Sequence, residues 1–132
     1  MSIKEMIQDH PAVGADYTEE LGEAVKHAMY CAAIASSCVD ACNAEEGDMS
    51  ECIRKCSDAS DICQAVSTVA ARRTHGNTAV IKSLLEACIL ACKVCAEECD
   101  KHDNPHCQRC ARMCHEVVED CVKARDAMLE VA

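Results

Sequence analysis

The sequence predicts an all-α protein: an antiparallel up-down-up-down four-helix bundle with a Cys-lined core, preceded by a short N-terminal helix. Three observations carry that expectation. Only four Gly and two Pro punctuate 132 residues, too few for a loop-rich fold. Turn signals fall at three places, NAEEGDMS around residue 47, RTHGNT around residue 76 and KHDNPH around residue 104. Between them, apolar positions recur by fours and threes, the rhythm of one helix face.

Taken in order, residues 1–13 form the N-terminal segment, its helix ending near His10 and Pro11. The first long helix is expected over about residues 16–45, with Ala24, Ala28, Cys31, Ala35, Cys38 and Cys42 facing inward. Gly47 is then the left-handed C-cap, Asp48 the next N-cap and Glu51 its capping-box partner. The second helix, about 49–74, points Met49, Cys52, Cys56, Ala59, Cys63, Val66 and Ala70 inward. Gly76 repeats the C-cap, and Asn77 or Thr78 starts the third helix, about 78–102. Its stripe is Ile81, Leu85, Cys88, Cys92, Cys95, Cys99 and His102. Asp103 or Asn104 precedes Pro105, which suits a first helical position. The fourth helix, about 105–130, contributes Cys107, Cys110, Cys114, Val117, Cys121, Ala124 and Met128. Long helices with short connections pack as antiparallel neighbours, and the length suits a single domain over residues 1–132.

All 14 cysteines fall on these stripes. A two-in-seven seam would catch a randomly placed residue with a chance of roughly 0.3, so the placement is not accidental. The cysteines come late in the first and third helices and early in the second and fourth, so antiparallel packing gathers them in one half. The other half holds Leu21, Val25, Val66, Val69, Ile81, Leu84, Leu85, Met128 and Leu129. The third helix rises about 16 Å from Cys88 to Cys99, and the fourth about 21 Å from Cys107 to Cys121. The thiols therefore line a column.

A net charge of −10 disfavours nucleic acid as a partner. No apolar run approaches a membrane span. The opening MSIKEMIQDHPAV has neither the basic n-region nor the apolar h-region of a secretory signal. The expected compartment is the cytosol, where thiols stay reduced and Cys-rich patterns signal metal or redox chemistry.

Packing alone does not call for fourteen thiols, and neighbours at i and i+4 on one helix close poorly into disulfides. Zinc is an alternative, since Cys92-x2-Cys95 followed by Cys107-x2-Cys110 resembles a ribbon pattern, but each four-thiolate site would bury a charge of at least about −2. Iron-sulfur clusters are another, though the ferredoxin run of cysteines is absent. A thiol oxidoreductase using Cys107 and Cys110 is a third, without the βαβ context such motifs normally have and with twelve other cysteines unused. Cu(I) fits best. It selects soft thiolate. Pairs such as Cys38 with Cys42, Cys52 with Cys56, Cys88 with Cys92, Cys95 with Cys99 and Cys110 with Cys114 can clasp an ion. Its single charge balances one thiolate, so a column filled at about one ion per Cys is nearly neutral and tolerates burial.

The repeated C-x3-C pairs, with Cys92-x2-Cys95-x3-Cys99 and Cys107-x2-Cys110-x3-Cys114, resemble the bacterial copper storage protein family from about residue 17 onward. The lack of a signal peptide is similar to its cytosolic branch. The resemblance implies storage of many Cu(I) ions rather than catalysis, access at one end of the bundle, and a homotetramer. Delivery by a copper chaperone or by small thiols is expected. Near the Cys-rich end, Met49, His102 and His106 offer weaker ligands for a first landing, with Glu45 beside them. His10, His27, His75 and His115 receive no role. Binding to thiols releases protons, so uptake weakens as pH falls.

Overall fold

Ser2 opens the first helix: its hydroxyl accepts the backbone N–H of Lys4 at 3.1 Å and of Glu5 at 3.4 Å, satisfying donors that have no intrahelical partner. That helix, α1 (Ile3–Gln8), buries Ile7, and Lys4 bonds Glu19 and Glu23 at the start of the next helix. The structure, a computed structural model, describes residues 2–12, 18–73 and 76–131, with side chains up to Met128. The helix start expected at residue 16, the helix end expected at residue 74, His75 and the Leu129 side chain lie outside the described residues.

Four long helices follow: α2 (Glu19–Asn43), α3 (Ser50–Val69), α4 (Thr78–Cys99) and α5 (Pro105–Val131). Thr18 caps α2 by accepting the Leu21 N–H at 3.1 Å, and Glu19 and Glu20 favour the positive end of its dipole. Pro105 begins α5, where its missing N–H costs nothing.

The helix ends differ from the expectations. α2 closes at Ala44 in a right-handed conformation, two residues after its last cysteine, and Gly47 (φ 92) turns the loop beyond it instead of capping. Met49, not Asp48, is the N-cap of α3; Asp48 accepts the Ser50 N–H at 3.0 Å, one position earlier than a capping box requires, and Glu51 turns to Arg54. α3 stops at Val69 because the Asn77 side chain donates to the carbonyls of Val69 (3.2 Å) and Arg72, diverting the chain from further helical bonds. Gly76 (φ 72) again serves the loop. α4 stops at Cys99, where Lys101 and His102 bond three residues back, each at 3.1 Å, in a tightened last turn.

α3 packs between α2 and α4, and α5 closes the square against α4 and α2. Side-chain pairs show the antiparallel sense directly. Across α3 and α4 they are Cys52 with Cys99 (3.8 Å), Cys56 with Cys95 (3.4 Å) and Cys63 with Cys88 (3.7 Å). Across α2 and α5 they are Cys38 with His106 (3.3 Å), Cys31 with Cys114 (3.8 Å) and His27 with Asp120. Every cysteine is a buried free thiol, at most 2% exposed. Leu21, Val25, Val66, Ile81 and Leu85 fill the opposite half, with Val69 and Leu84 only half-buried. Ala96, Ala111 and Met113 are also buried, beside the predicted stripes. No helix among the described residues is long and apolar enough to cross a membrane.

Candidate metal centre

Helical periodicity puts cysteines four residues apart on one face, and four facing helices bring these ladders together. Deepest in the sulfur half, Cys31, Cys63 and Cys92 place their sulfurs within 4.8 Å of one another. Cys63 lies 3.5 Å from Cys92, which lies 3.9 Å from Cys88. Cys121 belongs to this level, and the neighbouring Cys88 thiol, with burial, pushes its thiol up.

Next comes a pair of four-thiol groups, Cys56, Cys95, Cys99, Cys110 and Cys38, Cys52, Cys56, Cys99. They share two sulfurs, Cys56 and Cys99, which are 3.5 Å apart. Nearest the loops, Cys38, Cys42, His106 and Cys107 form a mixed group. His106 Nδ1 is 3.3 Å from Cys38 and 3.6 Å from Cys107, its Nε2 is 3.0 Å from Glu45, and Cys42 donates to Cys52 at 3.6 Å. Around Cys56 and Cys99, and again around Cys63 and Cys92, sulfur follows sulfur at 3.4–3.9 Å.

Burial pushes Cys107 up to about 12 and raises Cys42; burial and then the nearby Cys99 raise Cys52. Cys38 goes the other way. Hydrogen bonds from the Cys110 and Cys56 thiols, with a smaller contribution from His106, bring it down to about 6. His106 is correspondingly raised, first by Cys38 and then by Glu45. Cys38 thus carries thiolate character beside an imidazole, while Cys42, Cys52 and Cys107 at the same end are held as thiols in the absence of metal.

Sharing of sulfurs between groups bears on the choice of metal. Closed tetrahedral zinc sites want four ligands each, and the two four-thiol groups cannot both be supplied without bridging. An ion content with two or three ligands per metal and one positive charge per thiolate suits overlapping groups in a dry core.

A family model described as copper storage protein matches residues 17–126. The chain belongs to the copper storage protein family. The copper storage protein Ccsp from Streptomyces lividans, in a structure loaded with 10 copper equivalents, superposes with a TM-score of 0.90 at 28% identity, covering 95% of this chain and 98% of that one. A second Streptomyces lividans structure, of copper loading to a cytosolic copper storage protein with five coppers, gives 0.79 at 30% identity over 82% of this chain and 93% of that one. The uncharacterized cysteine-rich protein YhjQ of Bacillus subtilis is 30% identical over 106 residues, 78% of this chain and 94% of its own.

In this copper storage protein the other expected landing residues are placed differently. Met49 is buried at the N-cap of α3, three residues before Cys52. The structure does not bring His102 to the thiols. With α4 ending at Cys99, its Nε2 rests 2.9 Å from Glu98. Glu98, only 8% exposed, also receives Lys55 at 3.4 Å and Lys101 at 3.6 Å. Sequence reasoning passed over Glu98 because it lies off the Cys stripe. His27 sits among Asp120, Glu116 and Glu23, His115 is 3.0 Å from Asp100, and His10 Nδ1 accepts the Ala12 N–H at 3.0 Å.

His102, followed by Lys55 and Lys101, holds the Glu98 carboxyl below the usual carboxylate range, against the pull of burial. A depressed carboxylate contributes stability that is fully present above its unfolded pKa and is lost as pH falls through the folded value. Glu98→Gln is therefore expected to melt a few degrees lower than wild type at neutral pH. Thermal scans on acidification should show that gap closing; a gap that stays constant into acid would contradict the assignment.

Proposed function

We propose that the chain stores and sequesters many Cu(I) ions on its core thiols, in the cytosol, with access at the Cys-rich end. The observation that carries this reading is the fourteen buried free thiols, eleven of them in groups whose ligand atoms lie within 4.8 Å of one another, three of those groups sharing sulfurs. The copper-loaded Streptomyces lividans structures, one of them described as cytosolic, support it. The single four-helix domain acts as a container rather than a catalyst. It receives copper from a chaperone or from small thiols, and it assembles as a homotetramer, as the family resemblance implies; sedimentation that returned a monomer would remove that last point.

Cu(I) lands on Cys38, Cys42, His106 and Cys107 and moves inward by exchange between sulfurs at contact distance. Each thiol gives up a proton as it binds, so the filled column stays close to neutral. His102 and Met49, by this reading, frame the mouth.

Anaerobic titration with Cu(I) against a competing chelator tests the proposal. The expected capacity is about ten or more ions per chain, from charge balance near one ion per thiolate; saturation at one or two would mark a chaperone or sensor instead. His106→Ala is expected to slow uptake several-fold in stopped-flow absorbance while leaving the final capacity unchanged. An unaltered rate would remove His106 from the landing site.

A further inference from the structure

A groove of about 600 Å³ runs between α2 and α5, with Ile34 on one side and Cys38, His106, Arg109 and Arg112 along it. It reaches the same Cys38 that bonds His106 at 3.3 Å, so it leads from solvent to the outermost thiol group. Its volume lies within the range of small-molecule sites, roughly 300–1,000 Å³, and is too small for a protein domain.

The charge in the groove opposes that of the molecule. The chain carries −10, yet Arg109 and Arg112 stand one turn apart on α5, both exposed, and neither is in an ion pair among the described residues. The acid in the same groove, Glu116, is turned toward His27, 3.3 Å from its Nε2. Guanidinium forks recognise carboxylates bidentately. Cu(I) has to arrive on a soft donor, since it selects sulfur over oxygen.

We infer that this groove docks an anionic low-molecular-weight thiol carrying Cu(I), its carboxylates on Arg109 and Arg112 and its metal toward Cys38. The inference rests on the storage reading and adds the carrier's chemical class and its seat. Transfer is ligand exchange without redox change. A bond forms between Cu(I) and Cys38 Sγ, the bond from Cu(I) to the carrier sulfur breaks, and the proton held by the Cys38–His106 pair ends on the departing carrier thiolate.

The test is stopped-flow loading of wild type and Arg109→Gln/Arg112→Gln, under anaerobic conditions, from Cu(I)-glutathione and, separately, from Cu(I)-acetonitrile, which is not anionic. The exposed side chains allow both proteins to fold, and circular dichroism checks this. The expected result is about tenfold slower loading of the variant from glutathione, wild-type rates from acetonitrile, and equal final capacity. Raising the salt should slow wild type toward the variant with glutathione alone. Equal rates from glutathione, or equal slowing from both carriers, would overturn the groove's role while leaving storage intact. A wild type that takes up Cu(I) from neither carrier overturns storage, and this inference with it.

Discussion

A Cys56→Ala/Cys99→Ala variant is expected to lose about four Cu(I) ions of capacity, not two. These two sulfurs belong to both four-thiol groups. Without them, the first group keeps only Cys95 and Cys110 and the second only Cys38 and Cys52. Cu(I) with two or three thiolate ligands is then short of bridges at both places. Cys31→Ala/Cys121→Ala is the control, because each of those residues serves at most one three-thiol group; it is expected to lose about two ions. Removing a small buried side chain costs about 1 kcal/mol per site, so both variants keep the fold. Anaerobic titration with native mass spectrometry reads the difference. Equal losses in the two variants would mean that ions are held by separate sites and that the overlap has no consequence.

Filling the column is expected to raise the melting temperature by at least about 20 °C, for a reason that begins with composition. With no Trp and no Phe, the sulfur half of the core is packed by small side chains: Cys38, Cys56, Cys95 and their neighbours stand where larger residues give a bundle its apolar burial. The metal-free protein therefore relies on the aliphatic half around Leu21, Ile81 and Leu85. Each ion held at a thousandfold excess over its Kd adds about 4 kcal/mol, and five such ions exceed the whole unfolding free energy of an ordinary domain. Thiols in the unfolded chain also bind metal and take back part of this gain, which is why the expected shift is bounded from below only. Calorimetry of metal-free and filled protein measures it. A shift of less than about 5 °C would show that the ions do not tie the helices together.

Much of this architecture was legible in the sequence, because one property, inward periodicity, governs both helix packing and sulfur placement. Every stripe residue from Ala24 to Cys42 and from Ile81 to Cys99 is buried as the four-three rhythm requires. What escaped depends on side chains far apart along the chain. The end of α3 is decided by Asn77, eight residues beyond Val69, so a cap rule applied at Gly76 misjudges it. Glu98 is an unremarkable acid on α4 until Lys55, 43 residues away, is folded against it. The sequence places His106 near a turn, but its pairing with Cys38 spans 68 residues and follows only once α5 lies antiparallel to α2. His102 failed to reach the sulfurs for a local reason: three helical residues fewer than expected moved it off the stripe and onto Glu98.

The most direct measurement is a crystal structure of the anaerobically filled protein with anomalous scattering collected at the copper edge. Copper peaks should lie between Cys31, Cys63 and Cys92 at one level and Cys38, Cys42 and Cys107 at the other, each bonded to two or three sulfurs, with none beside Leu21, Val25 or Leu85. Peaks confined to surface histidines and carboxylates, with the interior sulfurs unbound, would contradict the account.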